Sequence, residues 1–185
     1  MVITAMIMRV VPLMVAFLWA VNASAENYID LDIGVVYSDV SVSEPSPIDG
    51  NFDSGDAGYH IGVGAYRNND DSRWVYGVKL ELQDVVGSML LSVRAIDLGY
   101  RVTPGLVLNG YLGAARYDLT TPAFGFRAGL GGHYWFSNRW ALAAEASYGD
   151  TLARDKLVPE DNPGVGNPDI FFDIVQFSIY LKYKF

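Results

Sequence analysis

From residue 28 onward the sequence alternates, with a period of two, between apolar residues and small or polar ones. Tyr28 to Ser38 sets the pattern: Ile29, Leu31, Ile33, Val35 and Tyr37 fall on one face, and Asp30, Asp32, Gly34 and Val36 on the other. Successive side chains of a strand point to opposite sides, so alternation this long specifies a strand rather than a helix. Seven further segments follow the rule: Ala57–Tyr66, Trp74–Gln83, Ala95–Val102, Leu106–Tyr117, Phe124–Trp135, Trp140–Gly149 and Phe177–Phe185. The connections alternate as well. They are short around Asn68–Arg73, Thr103–Gly105 and Ser137–Arg139, long at Asp39–Asp56 and Asp150–Asp169, and intermediate after the third and fifth strands. An even number of antiparallel strands, with tight turns at one end and loops at the other, predicts an all-β chain folded as an eight-stranded antiparallel up-and-down transmembrane β-barrel.

Alternation alone does not separate a barrel in lipid from a barrel in water, which would turn its apolar face inward. The polar set decides. It is rich in Gly, Ala and Ser, and its charges are few and nearly balanced: Asp30, Asp32, Glu81, Asp97 and Glu145 against Lys79, Arg101, Arg127, Lys182 and Lys184. A solvated surface carries more and longer charged side chains; small residues with a balanced charge set fit the inside of a narrow barrel. The apolar set carries no charge, and its aromatic residues gather near strand ends, as at Tyr37, Tyr59, Trp74, Tyr100, Tyr134, Trp140 and Tyr148. Aromatic girdles around an aliphatic band are the expected outer surface of a barrel in a bilayer. The apolar half of the chain is therefore expected to be a coat facing lipid rather than a core.

Residues 1–25 read as a cleaved signal peptide, with Arg9 as the single charge, an apolar run from Val10 to Val21, and a small-x-small end at Ala23-Ser24-Ala25. The barrel then occupies 26–185. With no cysteine the chain has no disulfide framework and no thiolate metal site. A formal net charge of −8 argues against a nucleic-acid partner, which needs a basic face.

A leader, eight amphipathic strands and a final Tyr-x-Phe resemble the small outer-membrane barrels of Gram-negative bacteria, the OmpA-type and opacity-protein group. The resemblance spans 26–185, and its most specific part is Phe185 with Tyr183, Leu181, Ile179 and Phe177 at alternate positions. It implies a monomer in the cell outer membrane, in contact with lipid and lipopolysaccharide, whose last strand is read by the barrel-assembly machinery.

Eight strands leave a lumen just wide enough for side chains to fill, and charges buried there need partners. Arg127 with Glu145, Lys79 and Glu81 with Asp97 and Arg101, and Asp30 and Asp32 with Lys182 and Lys184 lie on neighbouring strands and are expected to form a salt-bridged plug. A narrow ion or proton path through the same residues is the sharper alternative. His60 and His133 fall on the inward face as hydrogen-bonding residues. Neither stands two residues before a serine, and the chain has no G-x-S-x-G elbow, so no catalytic site, cofactor or metal is expected. The first long loop, with Asp39, Glu44, Asp49, Asp53 and Asp56 and no base, and the last, with Asp155, Glu160 and Asp161, read as acidic exposed segments where an extracellular partner would dock. The expected role is structural or surface-interacting; a narrow channel for small solutes or apolar molecules is the alternative.

Overall fold

A computed structural model describes residues 25–42, 53–69, 72–118, 121–156 and 169–185. The signal-peptide reading falls on residues outside this set apart from Ala25, as do Glu44, Asp49, Glu160 and Asp161. Eight strands follow in chain order: β1 (Ala25–Val42), β2 (Asp53–Asn69), β3 (Trp74–Val85), β4 (Ser88–Arg101), β5 (Leu106–Tyr117), β6 (Thr121–Trp135), β7 (Trp140–Lys156) and β8 (Asp169–Lys184). Each pairs antiparallel with its neighbours in sequence, and β1 pairs with β8 from Asp30↔Lys184 to Val42↔Phe172, so the sheet closes into a barrel. Closure satisfies the backbone without water, as a lipid environment demands.

Two zones stack along the barrel. In the lower zone, near Ser72-Arg73 and the turns 102–105 and 136–139, the outer face is apolar and exposed: Ile33, Val35, Ile61, Val63, Leu112, Leu130, Leu142 and Ile179 all project outward. Its inner face is polar and buried, from Asp30 and Asp32 on β1 to Ser178 and Lys182 on β8. In the upper zone, near the ends carrying the long loops, the polarity inverts. Val40, Val85, Leu90, Ala115, Tyr117, Phe172 and Ile174 point inward and pack together as a buried apolar cluster, while Asp39, Asp84, Arg116, Asp150 and Asp173 occupy outward positions. A strand leaving lipid for water must exchange faces in this way, because the solvent outside the wall has changed.

The inversion corrects two expectations. The apolar residues are not all coat; seven of them form a core inside the upper zone. The long loops are also shorter than expected, because Asp39 belongs to β1, Asp53 and Asp56 to β2, and Asp155 to β7. The connection after the third strand, expected to be of intermediate length, is the two-residue turn Val86-Gly87, with φ of 50° and 76°. A two-residue hairpin needs this pair of positive φ values to match the strand twist.

One irregularity positions the lumen. Between the pairs Gly77↔Asp97 and Lys79↔Arg94 the register shifts, leaving Val78 opposite both Ala95 and Ile96. The extra residue in β4 is a β-bulge, and it moves the side-chain phase by one. Arg94 and Asp97 consequently both point inward, three residues apart, while Ala95 and Ile96 are exposed outside.

Candidate functional site

The lumen of the lower zone is filled by one connected network. Arg94, on β4 beside the bulge, is its centre and is 1% exposed. Its Nη2 donates to Glu81 Oε1 and to Glu145 Oε1, and its Nη1 donates to Glu145 Oε2 at 2.9 Å and lies 3.5 Å from Asp97 Oδ2. The guanidinium also lies over the Tyr111 ring, 3.6 Å from its centroid. Arg127, on β6, donates through Nη1 to Glu81 Oε2 and Ser92 Oγ, both at 3.0 Å, and through Nη2 to Ser147 Oγ at 3.0 Å. Lys79 pairs with Asp32 and, at 3.1 Å, with Glu81. Lys182 lies 2.9 Å from Asp30 and 3.7 Å from Asp32. Tyr66 donates to Asp97 at 3.0 Å and Tyr180 to Glu145 at 2.6 Å. Each carboxylate that would be intolerable alone in a low-dielectric interior thus meets a cation or a phenol.

Inward glycines make room for the rings in this network. A Cβ on Gly77 would collide with the Tyr66 ring, and one on Gly129 with the Tyr111 ring. Bulky neighbours at those points would deny the phenols and guanidiniums their positions.

The structure redistributes the residues singled out from sequence. Asp30, Asp32, Lys79, Glu81, Asp97, Arg127, Glu145 and Lys182 are buried in the lumen. Arg127 and Glu145 are on paired strands but take different partners, since Glu145 is held by Arg94 and Tyr180 and Arg127 by Glu81 and the two serines. Arg101 does not join the network, and Lys184 lies over the Tyr28 ring at 4.7 Å. Both line a vestibule of about 600 Å³ at the turn end of the barrel. Arg94, the centre, escaped the sequence reading: counting back by twos from Ile96 puts it on the lipid side, and only the bulge returns it to the lumen. The buried set then holds five carboxylates against four Lys and Arg cations among the described residues.

His60 is buried, with Nδ1 2.7 Å from Gln83 Nε2 and its ring stacked on Tyr180 at 4.5 Å. His133 packs edge-on against Trp135 at 5.5 Å. The His60 Nε2 also lies 3.7 Å from Glu81 Oε1, which is itself held by Arg94 and Lys79. Above the charges, Gln176 donates to Ser38 at 2.9 Å, and the apolar cluster closes the upper zone. Inward of the vestibule, a cavity of about 10 Å³ touches Tyr66, Asp97, His133 and Lys182, room for about one water molecule.

Solved structures share this architecture. The chain is similar to Ail, the attachment invasion locus protein of Yersinia pestis, in complex with the heparin analogue sucrose octasulfate, at 14% identity and a TM-score of 0.55, over 86% of this chain and 99% of Ail. It is similar to Neisserial surface protein A at 15% identity and a TM-score of 0.54, over 88% of this chain and 100% of that one. The chain has the fold of the small outer-membrane β-barrels. No family model and no curated protein matches its sequence. In this barrel the C-terminal row is displayed to the outside: Phe177, Ile179 and Leu181 are exposed and Phe185 is 71% exposed. Tyr183 stands between Trp140, at 4.8 Å, and Phe185, at 5.0 Å. The Phe185 N–H donates to Ile29 C=O at 3.0 Å, which pins the chain end to β1.

Proposed function

We propose that the protein is an integral barrel of a Gram-negative outer membrane with a structural and surface-interacting role, neither an enzyme nor a conducting pore. The observation that carries this reading is the filled lumen. Arg94 and Arg127 bridge the middle of the barrel to Glu81 and Glu145, and the apolar cluster lies above them. A hydrated ion would have to displace paired charges and then cross a dry layer. Planar-bilayer recording tests this: the reading expects no steady ion flux, and a lasting open conductance would favour the narrow channel instead.

The apolar outer band meets outer-membrane lipid and lipopolysaccharide, and the exposed row ending at Phe185 suits recognition by the barrel-assembly machinery. The leader is removed after Ala25, and the barrel acts as a monomer. Ail is known here in complex with a sulfated sugar. The loops of this chain carry Glu44, Asp49, Glu160 and Asp161, and the strand ends below them add Asp39, Asp84, Asp150 and Asp173 on the outward side. Like charge repels a sulfated sugar, so a surface partner of this protein presents a cationic face. Binding of folded protein to an immobilised cationic peptide, with little binding to heparin, is the expected result; preference for heparin would contradict it.

A further inference from the structure

The vestibule at the turn end is built differently from the lumen above it. It is lined by Arg73, Arg101 and Lys184 together with Tyr28, Asn68 and Trp135, with no carboxylate among the side chains described there; Glu26 stands opposite Asn68 in the register of β1 and β2. Arg73 and Arg101 are held side by side, because the Arg101 N–H donates to the Arg73 C=O at 2.7 Å. Arg101 turns inward with Gly99 on β4, and Arg73, exposed in the bend just before β3, lines the rim of the same space. Neither makes an ion pair among the described residues. Like charges directly across a strand pair are destabilising unless something lies between them. The carboxylates one layer deeper are already engaged, Asp97 by Tyr66 and Arg94 and Asp30 by Lys182. Asn68 is nine-tenths buried and lines the same space. A walled concavity with one sign of charge concentrates counter-ions of the other.

We propose that this vestibule is an anion-binding site for a small multivalent oxyanion, a solute bearing phosphate or carboxylate groups that enters from the end of the barrel where Ala25 and Phe185 lie. Arg73 and Arg101 clamp the oxyanion through their N–H groups, Lys184 adds charge across the mouth, and Trp135 and Tyr28 form the apolar walls. The cations face the barrel axis and not the bilayer, so the source is a free solute rather than a lipid headgroup.

The test uses the full folded barrel in zwitterionic detergent, with inorganic pyrophosphate and tricarballylate as probes and the Trp135 indole N–H resonance as reporter. The expected result is a saturable shift that weakens with added salt. R101Q and R73Q each raise the apparent Kd about tenfold, the worth of one charge-assisted hydrogen bond. R116Q, at the opposite end, leaves it unchanged. Heat-modifiable gel mobility confirms that each variant is folded before titration. Affinity in R101Q and R73Q unchanged from the parent overturns the proposal, as does binding seen solely with vesicles containing anionic lipid. Asp70 and Asp71 precede Ser72 in the sequence and lie outside the described residues. Binding that emerges solely in the D70N/D71N or the E26Q variant would mean that the chain's own acids occupy the arginines, and would also overturn it.

Discussion

The lower and upper zones of this barrel are made from the same eight strands and obey opposite rules. In the lower zone Leu80 and Leu82 point outward and Lys79 and Glu81 inward; a few residues further along β3, Asp84 points outward and Val85 inward. β5 repeats the exchange from Leu112 and Tyr111 to Arg116 and Tyr117. Between Lys79↔Arg94 and Val85↔Ser88, and between Leu112↔Ala128 and Tyr117↔Ala123, register and phase run unbroken across the boundary. What changes is the medium outside the wall. Against hydrocarbon, the outer side chains gain nothing by turning inward, so the interior is held by ion pairs and polar contacts. Against water, burying Leu90 and Phe172 inside is favourable, at about 25 cal/mol per Å² of apolar surface. The lower zone is a membrane barrel and the upper zone is a small water-soluble one.

The comparison breaks first at Arg94. Arg94→Met leaves Glu145 with the Tyr180 hydroxyl in place of a cation and removes one of the three cations around Glu81, and loss of one partner of a buried ion pair costs about 3–5 kcal/mol. Urea unfolding in phospholipid vesicles, followed by tryptophan fluorescence, checks this; a variant as stable as the parent would remove the network from the stability of the lower zone. Next comes the apolar cluster. Leu90→Ala opens a cavity in a fully buried site and is expected to cost about 2–5 kcal/mol, whereas Leu130→Ala, 73% exposed toward lipid, costs far less in the same assay. A smaller contrast separates the outer faces. Leu130→Arg places a charge in mid-band and costs about 2–4 kcal/mol, while Asp84→Arg lies beyond the band and costs about 0–1 kcal/mol. The smallest effect is a gain. Val86 holds a β-branched side chain at positive φ, so Val86→Asn is expected to stabilise the hairpin by about 1 kcal/mol, read as a higher urea midpoint.

The barrel was legible in the sequence because the lower zone keeps one phase for eight or more residues in most strands, as from Ile29 to Tyr37. Legibility ended where a physical rule changed. Strands β1 and β8 reach into the upper zone, but Val40 and Ile174 reverse the face on which apolar residues sit, so the alternation looked finished at Ser38 and unstarted before Phe177. Val86-Gly87 lacks the Asn-Gly or Asp-Gly signature of a tight turn, which hid the hairpin between β3 and β4. Arg94 was hidden by Ala95, the inserted residue that shifts the phase of β4. Of the charge partners, strand adjacency indicates Lys182 with Asp30 and Asp32 across the β1–β8 seam but not the contacts that cross the lumen. Lys79 with Asp32, or Arg94 with Glu145, are contacts across the lumen between strands that do not pair, and strand adjacency does not specify them.

The absence of cysteine allows the boundary between the zones to be mapped directly. Single cysteines carrying a nitroxide at Val78, Leu80, Leu82 and Asp84, all outward positions of β3, report collision with oxygen, which concentrates in lipid, and with a water-soluble nickel chelate. The two-zone barrel predicts oxygen-dominated relaxation at 78, 80 and 82 and nickel-dominated relaxation at 84. Nickel access at Leu80, or a lipid-like label at Asp84, would contradict it.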